Sequence, residues 1–219
     1  NIRSLFLQNN SFTGTVPTEL GPCTSLDFFW ASDNNLTGSL SSETIRQWTN
    51  LKNFDFNNNG LTGTLPTELG TWTAVETFTT IGNNLVGTIP TELGSWSALE
   101  TFEVDKNSLT GTVPTELGAL STLTWLDLND NKLTGTLPTE LGHLTSLERL
   151  FVAANKLTGP IPTGIGKLTA LIELGLYNNS FAGTLPTEIN ACRSLKQLMV
   201  GQNYLTGTLP VGLGRLTAL

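Results

Sequence analysis

The chain has 219 residues and a mass of 23.5 kDa, with 13% charged residues, one histidine and a net charge of −7. That balance excludes an electrostatic nucleic-acid binder, which needs a clustered basic surface, and a binder of anionic membranes. No apolar run approaches the ~18 residues of a transmembrane helix. The first residues do not read as a charged-then-apolar leader, and two cysteines make neither a disulfide framework nor a zinc site.

A count of 35 threonines and 22 glycines points to repetition. The segment LTGTLPTELG at 61–70 returns at 133–142 and, varied, at 85–94, 109–118 and 181–190. An asparagine before each copy sets the register: Asn10, Asn34, Asn59, Asn83, Asn107, Asn131, Asn155, Asn179 and Asn203, spaced by 24, then 25, then 24 residues six times. The extra residue falls within 40–48, inside the segment SLSSETIRQW (39–48) that replaces the usual run. Each unit begins with an L-x-L step, as at Leu126 and Leu128, whose period of 2 predicts a short half-buried strand. The asparagine follows where the chain turns out of that strand. Its amide offers donors and an acceptor to backbone groups of the turn and of the adjacent coil, so a continuous buried ladder is expected. Leucines all around the unit (Leu123, Leu133, Leu137, Leu141 and Leu144 in one copy) point inward, and one coil cannot bury them without stacked neighbours.

These residues resemble the plant-specific class of leucine-rich repeats, with its L-x-G-x-I-P signature, over essentially all of residues 1–219. The T-G-T-[LIV]-P-T-E-L-G wording looks most like repeat proteins of diatoms and related algae. More distantly it is similar to receptor-like kinase ectodomains and polygalacturonase-inhibiting proteins of plants. The resemblance implies an α/β solenoid, a right-handed leucine-rich-repeat superhelix of nine 24-residue repeats. It would carry a parallel sheet on the concave face, short second strands at L-T-G-T-L-P, and 3-10 or helical turns around T-E-L-G-x-L on the convex side. It also implies an extracellular or cell-surface address and a receptor-like, non-enzymatic role with a protein, peptide or glycan partner, no cofactor and no metal. The family's paired cap cysteines are absent. Ile2 takes the first leucine position of repeat one and Leu219 that of an unwritten tenth, so residues 1–219 read as a single domain, an uncapped slice of a longer array.

Three groups of residues could suggest chemistry. Cys23 and Cys192 fall on an interior leucine position that Trp48, Trp72 and Trp96 occupy in other repeats, and read as small buried side chains. The glutamates of P-T-E-L (Glu19, Glu68, Glu92, Glu116, Glu140, Glu188) are expected one per coil in the first turn of a short helix, where negative charge is favourable. The threonines before four of them, Thr67, Thr91, Thr115 and Thr139, are expected N-caps. His143 has no cysteine or second histidine at ligand spacing. No catalytic residue is assigned.

Specificity is expected on the concave face, at positions six, four and two residues before each asparagine. Phe6, Phe28 and Trp30 form an aromatic group at the N-terminal end, and Trp125, Phe151 and Tyr177 run as a diagonal toward Met199. Between them lies an acidic middle of Asp55, Glu103, Asp105 and Asp127. Aromatics beside carboxylates suit recognition of a ligand with basic or hydroxyl-rich groups. A rival expectation rests on Thr62/Thr64, Thr110/Thr112 and Thr134/Thr136, two outward columns ~7 Å apart along the strand and ~4.8 Å between coils. They resemble the T-x-T arrays of β-solenoid antifreeze proteins, although Val86, Pro160 and Ala182 interrupt them. A third expectation is a structural spacer in a cell-surface protein. Sequons at Asn9, Asn35 and Asn178 permit N-glycosylation of a secreted chain.

Overall fold

The computed structural model describes residues 2–216; Leu219, read above as the start of a further repeat, lies outside the described residues. Three-residue strands recur from Ser4–Phe6 and Phe28–Trp30 to Gln197–Met199. Each pairs in parallel with the strand of the next repeat, giving one nine-stranded sheet on the concave side. The register is one full repeat, so that Leu126 lies beside Phe102 on one side and Leu150 on the other. A column in the aligned sequence is therefore a row of neighbouring side chains in space. The central residue of each strand points inward, and the first and third face out, as the period of 2 requires.

The T-G-T segments form the second strands, in sheets of three, two and four strands rather than one continuous array. On the convex side the P-T-E-L-G runs make 3-10 turns such as Thr67–Thr71 and Thr139–His143. In the repeat with the extra residue, Ser42–Ile45 is an α-helical turn, capped by Ser41, whose Oγ accepts from the Thr44 N–H. The threonines expected as caps do not cap. Pro66, Pro90, Pro114 and Pro138 hold the cap positions in extended geometry, with no side-chain cap bond. Proline fixes φ and lacks an N–H, which fits the entry to a helical turn, and this moves each threonine into the turn. Thr67, Thr91, Thr115 and Thr139 instead donate to the carboxylates of Glu68, Glu92, Glu116 and Glu140 at 3.1–3.4 Å.

The asparagine ladder is present. Asn131 Oδ1 accepts the Leu109 N–H at 2.9 Å, 22 residues upstream, while Nδ2 donates to the Val104 carbonyl at 3.0 Å, 27 residues upstream. The same pair of bonds recurs at Asn59, Asn83, Asn107, Asn155, Asn179 and Asn203. Trp48, Trp72 and Trp96 are fully buried, and each indole N–H donates to a turn carbonyl of the coil before (Leu20, Ile45 and Leu69). Cys192 fills the same slot and bonds the Ile165 carbonyl through sulfur, and burial pushes its thiol up to about 11. Both cysteines are free. No helix among the described residues is long and apolar enough to cross a membrane.

Candidate recognition site

At the N-terminal end of the concave face the aromatic group forms as expected. The Phe6 ring lies 4.7 Å from Trp30 and 6.4 Å from Phe28, and Phe28 meets Trp30 edge-on at 6.3 Å. Phe6 keeps 56% of its surface exposed. The Trp30 indole donates to Asn53 Oδ1 on the next strand, which fixes the ring plane across the sheet.

The acidic middle divides into two parts. Asp55 accepts from Ser32 Oγ at 2.9 Å, Asn57 N–H at 3.1 Å and Thr79 Oγ1 at 3.2 Å, so its carboxylate is spent on the scaffold. Glu103 and Asp127 stand side by side on paired strands, and Asp105 follows two residues after Glu103. None of the four ion pairs among the described residues involves these three. Burial, then the charges of Asp105 and Asp55, push the Glu103 carboxyl up to about 7 against a smaller opposing effect of Arg149. Burial likewise pushes Asp127 up to about 7, opposed by the Asn129 N–H bond and reinforced by Asp105, Glu103 and Asp130. Asp105 is raised by burial and is only 8% exposed, with Oδ1 lacking a partner.

An acid whose folded pKa is raised binds more protons folded than unfolded between about pH 4 and 7, so stability falls as pH rises through that window. Asp127→Asn keeps an acceptor for the Asn129 N–H but removes the charge. It is expected to leave stability at pH 4 nearly unchanged and raise it at pH 8 by about 1 kcal/mol, or roughly 2–4 °C in the melting midpoint. Thermal melts at the two pH values check this; an equal effect at both would contradict it.

The expected diagonal does not form a single aromatic group. Arg149 lies 4.5 Å over the Trp125 ring and pairs with Glu173 at 3.5 Å. The Phe151 ring lies over Gly175, where a Cβ would come within 2.6 Å of it. Tyr177 stands 39% exposed, and no ring pair links these three among the described residues. The two-before column also turns inward more than the strand period suggests, with Ser32, Asp105 and Ala153 buried. Asn57 and Asn129 in that column accept the Ile81 and Ala153 N–H groups of the next coil, a structural role the sequence pattern did not reveal.

The rival threonine columns are exposed at Thr62, Thr64, Thr110, Thr112, Thr134 and Thr136. Their geometry serves stacking. Thr110 and Thr134 donate their hydroxyls to the Gly87 and Gly111 carbonyls of the coil before, both at 3.2 Å. The methyls of Thr112 and Thr136 cover Gly135 and Gly159, whose φ values are +77° and +76°. On the convex edge a hollow of about 510 Å³ opens between Glu140, His143, Lys167 and Glu188, where Gly164 stands in place of the ladder glutamate. No unpartnered buried polar atom lines it, whereas the concave face holds three of the six among the described residues: Gln8 Oε1, Asp105 Oδ1 and Trp125 Nε1. No group of three metal-ligating side chains occurs among the described residues.

Stacked parallel strands joined by an asparagine ladder define a leucine-rich-repeat solenoid. Residues 97–157 match one leucine-rich-repeat family model, and residues 1–23 and 50–72 match another. The chain belongs to the leucine-rich-repeat proteins, with repeats of the plant type. A structure of a TDR receptor superposes on all of this chain with a TM-score of 0.97 at 31% identity, over 38% of the receptor chain. The ectodomain of the Arabidopsis receptor kinase HAESA, in complex with an IDA peptide hormone ligand lengthened at its N-terminus, gives 0.93 at 33% identity, over all of this chain and 37% of that one. This chain therefore spans a little over a third of the length of those two receptors. A plant ice-binding protein shares the fold, with a TM-score of 0.72 at 23% identity over 98% of this chain and 76% of that one. No curated protein sequence matches.

Proposed function

We propose that the chain is a non-enzymatic, extracellular recognition module that binds a peptide segment in extended form along its concave face. The observation that carries this reading is the concave face itself, which sets an aromatic group at one end and, beside Trp125 farther along, carboxylates outside any ion pair among the described residues. From Trp30 to Trp125 is four coils, about 19 Å at ~4.8 Å per strand, enough for about six extended residues. The HAESA complex, in which a similar solenoid holds a peptide, supports the same reading. Exposure of the sequon residues Asn9, Asn35 and Asn178 supports the extracellular address and their glycosylation. The threonine columns support ice binding less well, because Thr110 and Thr134 spend their hydroxyl protons on backbone carbonyls.

The test is retention of a pool of capped random nonapeptides on the immobilised chain, compared with Trp30→Ala/Trp125→Ala. Loss of about tenfold or more of the retained material is expected, since buried aromatic anchors dominate such interfaces. Absence of retained peptide, or retention indifferent to both substitutions, overturns the reading. Thermal hysteresis of the same sample, abolished by Thr112→Tyr/Thr136→Tyr, would put the ice-binding reading in its place.

A further inference from the structure

Glu103, Asp105 and Asp127 lie together on the concave sheet, the first and third on paired strands and the second two residues along. By sheet geometry this is a triangle about 5 Å by 7 Å on its shorter sides. The cationic side chains nearest to it are otherwise engaged or weakly placed: Arg149 is stacked on Trp125 and paired with Glu173, and Lys106 sits at the exposed turn. A second feature is independent of the charge count. Asp105 is more than nine-tenths buried, yet its Oδ1, an acceptor, has no hydrogen-bond partner. Buried acceptors left open in this way cost free energy unless a donor arrives.

Resting on the peptide-binding reading, we propose that these three carboxylates are the seat for one guanidinium group, that of an arginine in the bound peptide. A guanidinium carries five N–H donors in a planar fork and can bridge acceptors on two adjacent strands, whereas an ammonium is a point charge. Charge-assisted bonds of this kind are roughly twice as strong as neutral ones. The seat spans the coil of Trp125 and the one before it, four and three coils from Trp30, so the arginine lies at the Trp125 end of the occupied stretch.

The test uses two pools of capped nonapeptides that differ only in a fixed central residue, arginine or its uncharged analogue citrulline. Retention on the whole chain is measured at pH 8, above the value of about 7 to which Glu103 and Asp127 are pushed. About tenfold preference for the arginine pool is expected. Glu103→Gln/Asp127→Asn should reduce that preference to within about twofold, while Glu116→Gln on the convex edge leaves it intact. Circular dichroism of each variant separates loss of the seat from loss of the fold, and Glu103→Gln alone, if the double variant unfolds, should still lower the preference severalfold. Equal retention of both pools, with both lost in Trp30→Ala/Trp125→Ala, overturns the guanidinium seat and leaves peptide binding standing. Retention of neither pool overturns both.

Discussion

Asn131→Ala is expected to lower stability by about 3 kcal/mol, or roughly 6–12 °C in the melting midpoint. The substitution removes the acceptor of the Leu109 N–H and the donor to the Val104 carbonyl, both inside the stack. The Leu109 N–H left open costs about 1–3 kcal/mol, while the Val104 carbonyl keeps the Asn107 amide at 3.2 Å and loses one of its two bonds, about 1 kcal/mol more. Asn131→Asp discriminates further. It retains an oxygen for Leu109 but turns a buried anion toward the carbonyls of Val104, Leu128 and Asn129. At pH 8 it should cost more than the alanine, and at pH 4 less. Asn10 gives the control, because it is exposed and bonds only Leu7 and Gln8 of its own turn. Thermal or urea melts in which Asn131→Ala costs no more than Asn10→Ala would remove the ladder from the account of stability.

Trp72→Ala should cost a similar amount, about 3–5 kcal/mol. The indole is fully buried, 5.4 Å from the Phe54 ring and 6.2 Å from both Trp48 and Phe78, and its N–H meets the Ile45 carbonyl at 2.7 Å. Most of the loss is the cavity. The Ile45 carbonyl still accepts from the Trp48 N–H, so Trp72→Phe, which keeps a ring, should cost only about 1–2 kcal/mol. Leucine is what Leu120, Leu144 and Leu168 supply in this slot elsewhere, and Trp72→Leu should fall between the two. Calorimetry measures the series. An alanine effect below about 1 kcal/mol would mean that the neighbouring coils close over the gap, contrary to the stiffness of a packed core.

The solenoid was legible because every coil writes the same positions. Spacing alone found Asn131 and its equivalents, the inward Leu126 column and the Trp72 slot, since a fixed repeat forces equal residues into equal environments. The first and third strand positions also faced out as read. What stayed hidden is what one coil's neighbour supplies: the Phe151 ring lies over Gly175, and Arg149 lies over one face of Trp125, though both rings stay half-exposed, as Phe28 and Trp30 do. Asp105 reads as a surface acid, yet the chain is already bending into the turn there and buries it. The threonine caps failed because the proline one residue earlier held the cap. One column went unread altogether. Asn9, Asp33, Asn58, Lys106, Asp130, Ala154, Asn178 and Gln202 sit at φ of 50–56° immediately before the ladder asparagine, and Gly82 takes that place in the remaining repeat. The signal was available: asparagine, aspartate or glycine fills six of those nine positions, the residue types that tolerate a left-handed backbone.

The ladder also has a direction. From Asn34 onward each ladder asparagine serves the coil before it, reaching 22 and 27 residues back (23 and 28 at Asn59), as Asn131 does to Leu109 and Val104. A chain emerging from the ribosome therefore presents every new coil with an open N–H, and with a carbonyl served only by its own coil's asparagine, until the next asparagine arrives. At about 5–20 residues per second that wait is roughly 1–5 s, far longer than the microseconds in which a short loop closes. Growth thus proceeds as a zipper that trails synthesis by one turn, with the unfinished surface always confined to the most recent coil.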